Sequence, residues 1–254
     1  MHPSAQLEVV TQGYLAALNK ERDGFLALHG ELLTAHPTWV AGKDARLGLV
    51  AKPINLILSA CVNMRLTQRV LAFPQWWATN VAPELGSEEA IEGAMFDVQT
   101  FYRFGFFQFL SSNVEHGLRA IQPVVVTGAD SQADTAYWRV YTTLFRAALP
   151  EDLAARHINV FAFLSTLRNT IHNNGVYSPH NHRDASFVIG DREYQFRDGH
   201  PVEAFGWDRI IAYLPHIREA LTDLMRSPQV SSIPEIADIA STPLSGLAPT
   251  RGSA

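Results

Sequence analysis

Apolar residues recur every three or four positions through most of this chain, and that period commits it to a mostly helical fold. From Leu7 to about Leu33 the series is Leu7, Val10, Tyr14, Leu18, Phe25, Leu28 and Leu32. A second helix is expected from Ala45 to about Leu71, with Pro53 in its first turns or at a kink. Phe73 to Ser87, rich in proline and carrying Trp76 and Trp77, suits a loop or short helix; its tryptophans either pin it to the core or form a lid or subunit contact. Ser87, Glu88 and Glu89 open a long helix to roughly Ile121, which Pro123 ends. Another helix is expected from Ser131 to Ala148. The next begins at Pro150-Glu151-Asp152, where a first turn favours proline and acids. Leu153, His157, Val160, Leu164, Leu167 and Ile171 trace its buried stripe, and Asn173-Asn174-Gly175 closes it, since asparagine and glycine accept the left-handed conformation.

The period changes once. Ser186 to Phe196 holds two short β-type runs around Gly190-Asp191, a two-residue hairpin loop that sets Phe187 opposite Tyr194 and Ala185 opposite Phe196. Helical spacing then returns from about Gly206 to Arg226, with Pro215 as a bending point. The expected fold is all-α: an up-and-down helical bundle with one β-hairpin, at about residues 185–197, inserted before the last helix. Residues 1–226 form one domain, and the Ser/Pro-rich stretch 227–254 is expected to be a mobile tail.

With 47% hydrophobic residues against 18% charged, the chain has material for a large core. A net charge of −5 argues against coating nucleic acid by bulk electrostatics and leaves room for a local basic site. The single cysteine, Cys61, lies in an apolar run and excludes a disulfide framework. The N-terminus lacks the basic and apolar regions of a secretory signal, and the apolar run from Leu47 to Val62 is interrupted and too short for a bilayer. A soluble cytoplasmic protein is expected, with no membrane partner.

The stretch Leu164 to Pro179, LSTLRNTIHNNGVYSP, makes the sharpest chemical claim. Arg168 and His172 stand four residues apart and so project from one helical face, at the rim of the apolar stripe. Arg168 offers a planar fork of donors suited to phosphate. His172 changes protonation near neutral pH, and a helix C-terminus favours its charged form. Together they suit a phosphodiester: histidine moves the proton of a 2′-hydroxyl or of the leaving 5′-oxygen, and arginine stabilises charge on the phosphoryl group without a metal or cofactor. Asn169 and Asn173 can orient a substrate, and the following His180-to-Asp184 loop supplies His182 and Arg183. A metal is not expected from that loop, because zinc needs three or four converging ligands. Glu115 and Arg119 have the spacing of a surface ion pair; the functional alternative has Glu115 orient Arg168 or His172 as a supporting residue. The aromatic run from Phe101 to Phe109 has the helical spacing of a core or dimer seam.

The motif LRNTIHNNG on a late helix resembles the Arg-Asn…His motif of HEPN-type domains. Matched by position, Arg168 is the motif arginine, Asn169 the polar residue after it and His172 the histidine. The usual motif has four to six residues between arginine and histidine, whereas this chain has three, and it more closely resembles a HEPN-like subgroup with RN-x-x-HNNG followed by a hairpin. The resemblance implies an all-α bundle, a homodimer with a composite cleft, and metal-independent endoribonuclease or RNA-binding activity. An antitoxin or regulatory protein partner is implied with it. Two alternatives stand beside that activity: a non-catalytic interaction or regulatory module, and a sensor binding nucleotide phosphate.

Overall fold

The computed structural model describes residues 3–71, 79–80, 82–85, 88–127 and 136–238. It is mostly helical, with two small two-stranded sheets. The helices are α1 (Pro3–Ala35), α2 (Ala45–Leu71), the single turn α3 (Ala82–Leu85), α4 (Glu88–Val125), α5 (Tyr137–Ala148), α6 (Glu151–Ile171), α7 (Trp207–Arg226) and the short α8 (Pro228–Ser231). Strands β1 (Val176–Tyr177), β2 (Ala185–Ile189), β3 (Arg192–Phe196) and β4 (His200–Pro201) lie between α6 and α7.

α1 packs on α2 and α7, α2 on α4, and α4 on α5 and α6. α1 buries Leu15, Leu18, Phe25, Leu28 and Leu32, close to the stripe its spacing predicts. α4 buries Phe106, Phe107, Leu110, Val114, Leu118 and Ile121 and leaves Phe101 and Phe109 exposed. The aromatic run is thus split between core and surface. Pro53 lies in the third turn of α2, buried. By length and composition α2 could cross a membrane from Ala45 to Arg69, which extends well beyond the apolar run visible in the sequence. Half of its most apolar 18-residue window is buried within the fold.

Phe163 of α6 joins the hairpin to the helices. Its ring centroid lies 4.7 Å from Tyr194, 5.4 Å from Tyr213, 5.9 Å from Phe187 and 6.0 Å from Phe196. The β2–β3 register pairs Phe187 with Tyr194 and Ala185 with Phe196, as the Gly190-Asp191 turn requires. Gly190, at φ 64°, supplies the positive angle of a type II′ turn. A second pairing was not visible in the sequence: β1 runs antiparallel to β4, with Val176 opposite Pro201 and Tyr177 opposite His200.

Three expectations are corrected. α4 continues through Pro123 to Val125: the proline's φ is a helical one, and what it removes is the N–H that would bond the Arg119 carbonyl, so the helix runs only two residues further. α5 starts at Tyr137 rather than Ser131: Ala136 is its N-cap with an extended ψ of 141°, and residues 131–135 fall outside the described residues. Ser87, Trp76 and Trp77 fall outside them too.

The third correction concerns the tail. Ser227 to Asp238 folds back over the start of α2, with Val230 and Ile236 buried. Arg46, fully buried, donates to the carbonyls of Val230 at 2.9 Å and Ile233 at 2.7 Å, and its guanidinium lies 3.6 Å over the Trp39 ring. Asp44 holds the same guanidinium through Nε at 2.8 Å and accepts the Arg46 backbone N–H at 2.9 Å, so one carboxylate both caps α2 and neutralises its arginine. Ala45 N–H donates to the Ile236 carbonyl at 2.7 Å. The Asp238 carboxylate rests on Gly48, where a β-carbon would strike it, and is 3.5 Å from Lys52 and 3.4 Å from His116. Short apolar side chains between serines and prolines gave no helical period, yet they suffice to seal the end of α2.

Candidate functional site

The C-terminal end of α6 is built as a left-handed cap. Asn174 and Gly175 have φ of 54° and 83°, and Gly175 N–H returns to the Thr170 carbonyl at 2.8 Å. Gly175 is required twice over, because a β-carbon there would also lie 3.0 Å from the Phe104 ring. The chain leaving the cap is tied down by Val202 N–H on the Gly175 carbonyl and Gly199 N–H on the Tyr177 carbonyl. Thr170, buried, donates its hydroxyl to the Leu167 carbonyl at 2.7 Å.

Arg168 finds its partner on another helix. Its guanidinium reaches across to α4 and pairs with Glu115, whose other carboxylate oxygen accepts from Arg119 at 2.8 and 2.9 Å. The Glu115 side chain is only 14% exposed, so this is a half-buried junction and not the surface pair that the Glu115–Arg119 spacing suggested. The Nε of Arg168 is buried without a hydrogen-bond partner among the described residues. Tyr137, at the start of α5, adjoins the same charges. Burial holds its phenol well above the ordinary range, the Glu115 carboxylate adds to that, and the two arginines oppose it. Tyr137 therefore stays neutral and protonated. Its position in an aromatic helical run gave no sequence signal for this placement.

His172 occupies the C-cap position and is exposed, with no side-chain hydrogen bond or ion pair among the described residues. Asn169 and Asn173, one helical step of four apart, lie on a neighbouring face and line a cleft of about 780 Å³ with Thr166, Thr170, His180 and His182. Arg168 does not line that cleft. The fold thus divides the predicted site. Asn169, Asn173 and His182 converge on the cleft, Arg168 and Glu115 converge on the α4–α6 junction, and His172 is exposed on the cap between them in sequence.

His182, at φ 50°, is anchored by Nδ1 2.9 Å from the Asp198 carboxylate, and Asp184 accepts the Asp198 backbone N–H at 2.9 Å. Arg183 is exposed and does not line the cleft; its backbone N–H donates to the Asn181 side chain. Among the described residues no three His, Cys, Asp or Glu side chains are grouped to hold a metal ion. Chemically, the cleft offers amide, hydroxyl and imidazole groups that can donate to phosphate or base edges, with the exposed imidazole of His172 close in sequence.

A further histidine emerges from the apolar stripe. His157 is 1% exposed, and its Nε2 lies 2.8 Å from the Asp223 carboxylate of α7. Burial lowers the affinity of its ring for a proton, and Asp223 partly offsets that. The pair pins α6 to α7. Comparison with protein-family models, curated proteins and solved structures gives no match to this chain.

Proposed function

We propose that this chain is a HEPN-like helical bundle that binds RNA or nucleotide phosphate at the C-terminal end of α6 and cleaves the phosphodiester without a metal. The observation that carries this reading is the exposed, unengaged imidazole of His172 on a rigid cap, beside a polar cleft formed by Asn169, Asn173 and His182. In the proposed step a neutral imidazole takes the 2′-hydroxyl proton as the oxygen attacks phosphorus. An imidazolium then returns a proton to the departing 5′-oxygen, either from the same ring or from a second copy's. Arg168 is fixed by Glu115, so it contributes positive potential at the helix end and not a mobile clamp.

A homodimer belongs to this reading. Phe101 and Phe109 on α4, with Leu58, Val62 and Leu66 on α2, are exposed apolar side chains that a second copy would cover. An antitoxin or regulatory protein is the other partner it expects.

The second reading, a non-catalytic interaction module, is favoured by the Arg168–Glu115 pair, which commits the motif arginine to holding α6 on α4. Cleavage of labelled single-stranded and transfer RNA, with chelator present, separates the two. The first reading expects cleavage by wild type and a loss of at least about a hundredfold on His172→Ala, the usual scale for a proton-transfer group. Binding without cleavage leaves a phosphate sensor, and neither leaves the interaction module.

A further inference from the structure

A two-stranded hairpin has an outer edge on each strand, and on β2 the Val188 carbonyl accepts the Asn159 side-chain amide at 2.9 Å. β3 pairs with β2 and with no other strand among the described residues. Ile189 and Arg192 flank a two-residue turn and exchange both main-chain bonds, so the bonded pairs continue at Phe187–Tyr194 and Ala185–Phe196. The N–H and C=O groups of Glu193 and Gln195 consequently point away from β2. A cleft of about 560 Å³ lies there, lined by Glu193, Tyr194 and Gln195 of β3, by Arg197 just past it, and by Glu203 and Arg209. Three consecutive strand residues cannot line a sheet face, because neighbours point to opposite sides. The cleft therefore follows the edge.

We propose that this cleft binds an extended peptide segment of a partner protein as a third strand on β3, carrying a basic residue opposite Glu193 and an acidic one opposite Arg197. Pairing is confined to Glu193 and Gln195, whose outward groups provide four main-chain bonds, since the Arg197 carbonyl already accepts His200 N–H at 3.0 Å. The charges of the lining specify the occupant. Glu193 and Glu203 stand against Arg197 and Arg209, so these four charges balance: a chain of mixed charge is matched, and a polyanion such as RNA gains no net attraction. Opposite charges directly across an antiparallel pair are favourable, which fixes the register of the incoming strand. Tyr194, between Glu193 and Gln195, points to the other side, 5% exposed with its ring centroid 4.7 Å from that of Phe163, and so fastens the edge strand to the core. This site is separate from the cleft at the end of α6 and does not rest on the reading given for it.

The test is selection of random nonapeptides displayed on phage against the full chain, followed by titration of the enriched peptides. Gln195→Pro removes one outward N–H without touching the bonds to β2, and Arg197→Glu reverses one charge. Enriched peptides are expected to carry acidic and basic residues four positions apart and to bind Gln195→Pro at least about tenfold more weakly, the cost of one main-chain bond and its neighbours. Arg197→Glu is expected to select a basic residue in place of the acidic one. Circular dichroism confirms that each variant is folded; should Gln195→Pro unfold, the charge reversal alone decides. No enrichment, or peptides that bind wild type and the variants equally, would overturn the proposal.

Discussion

Glu115 is the residue on which the α4–α6 contact turns. One carboxylate serves two arginines, and removing it leaves Arg168 half-buried with its Nε already unpartnered. Glu115→Gln is expected to cost about 1–2 kcal/mol, between the value of an exposed pair and that of a buried one, and urea unfolding would measure it. Arg168→Ala should cost a similar amount, and the double variant should cost less than the sum because both single changes remove the same Arg168–Glu115 pair. His157 makes a prediction of the opposite electrostatic kind. Its folded-state affinity for protons is lowered by burial, so the unfolded chain binds the extra proton. The contribution of neutral His157 is present above the unfolded pKa of about 6.5 and is lost as pH falls from there through the lowered folded value. Thermal unfolding between pH 8 and 5 should show this loss, and His157→Gln should flatten it. An unchanged slope would mean that Asp223 compensates fully.

Among the elements, the segment from Ser227 to Asp238 carries the clearest consequence. Its hold depends on Arg46, whose guanidinium joins Asp44, the carbonyls of Val230 and Ile233, and the Trp39 face. Arg46→Ala strands a buried carboxylate and two buried carbonyls at once, and the expected loss is about 3–5 kcal/mol. Native-state hydrogen exchange would locate it, with protection lost first at Ala45, Ile236 and Asp238, whose main-chain bonds tie the segment down. Helix boundaries were well marked where a cap or a turn residue acts locally. Pro150-Glu151-Asp152 begins α6 and Asn174-Gly175 ends it, because those residues set their own φ and ψ whatever packs around them. Of the boundaries that differed, Tyr137 had no such local determinant, and the φ of Pro123 is one a helix also uses, so it did not set the stop to the residue.

For the whole molecule, the open question of assembly has a direct check. Exposed Phe101 and Phe109 on α4 and Leu58, Val62 and Leu66 on α2 are the apolar side chains that the proposed second copy would cover. If a second copy covers them, sedimentation should give twice the chain mass for wild type and a single chain for Phe101→Lys/Phe109→Lys, at unchanged thermal stability. A wild type that sediments as one chain would remove the composite cleft from the proposed mechanism and leave His172 to act alone.

The sequence by itself determined the helical class, the hairpin with its register, and the cap that ends α6, because each follows from spacing or backbone preference within a few residues. Which distant polar groups meet was settled by packing. Glu115 finds Arg168 across 53 positions, His157 finds Asp223 across 66, and Arg46 finds Val230 across 184. Side chains four apart on one helix share a face, which is why Arg168 and His172 read as a pair. A half-buried guanidinium, however, requires a counter-charge: Glu115 on the neighbouring helix supplies one, and a histidine, neutral or positive, has none to give.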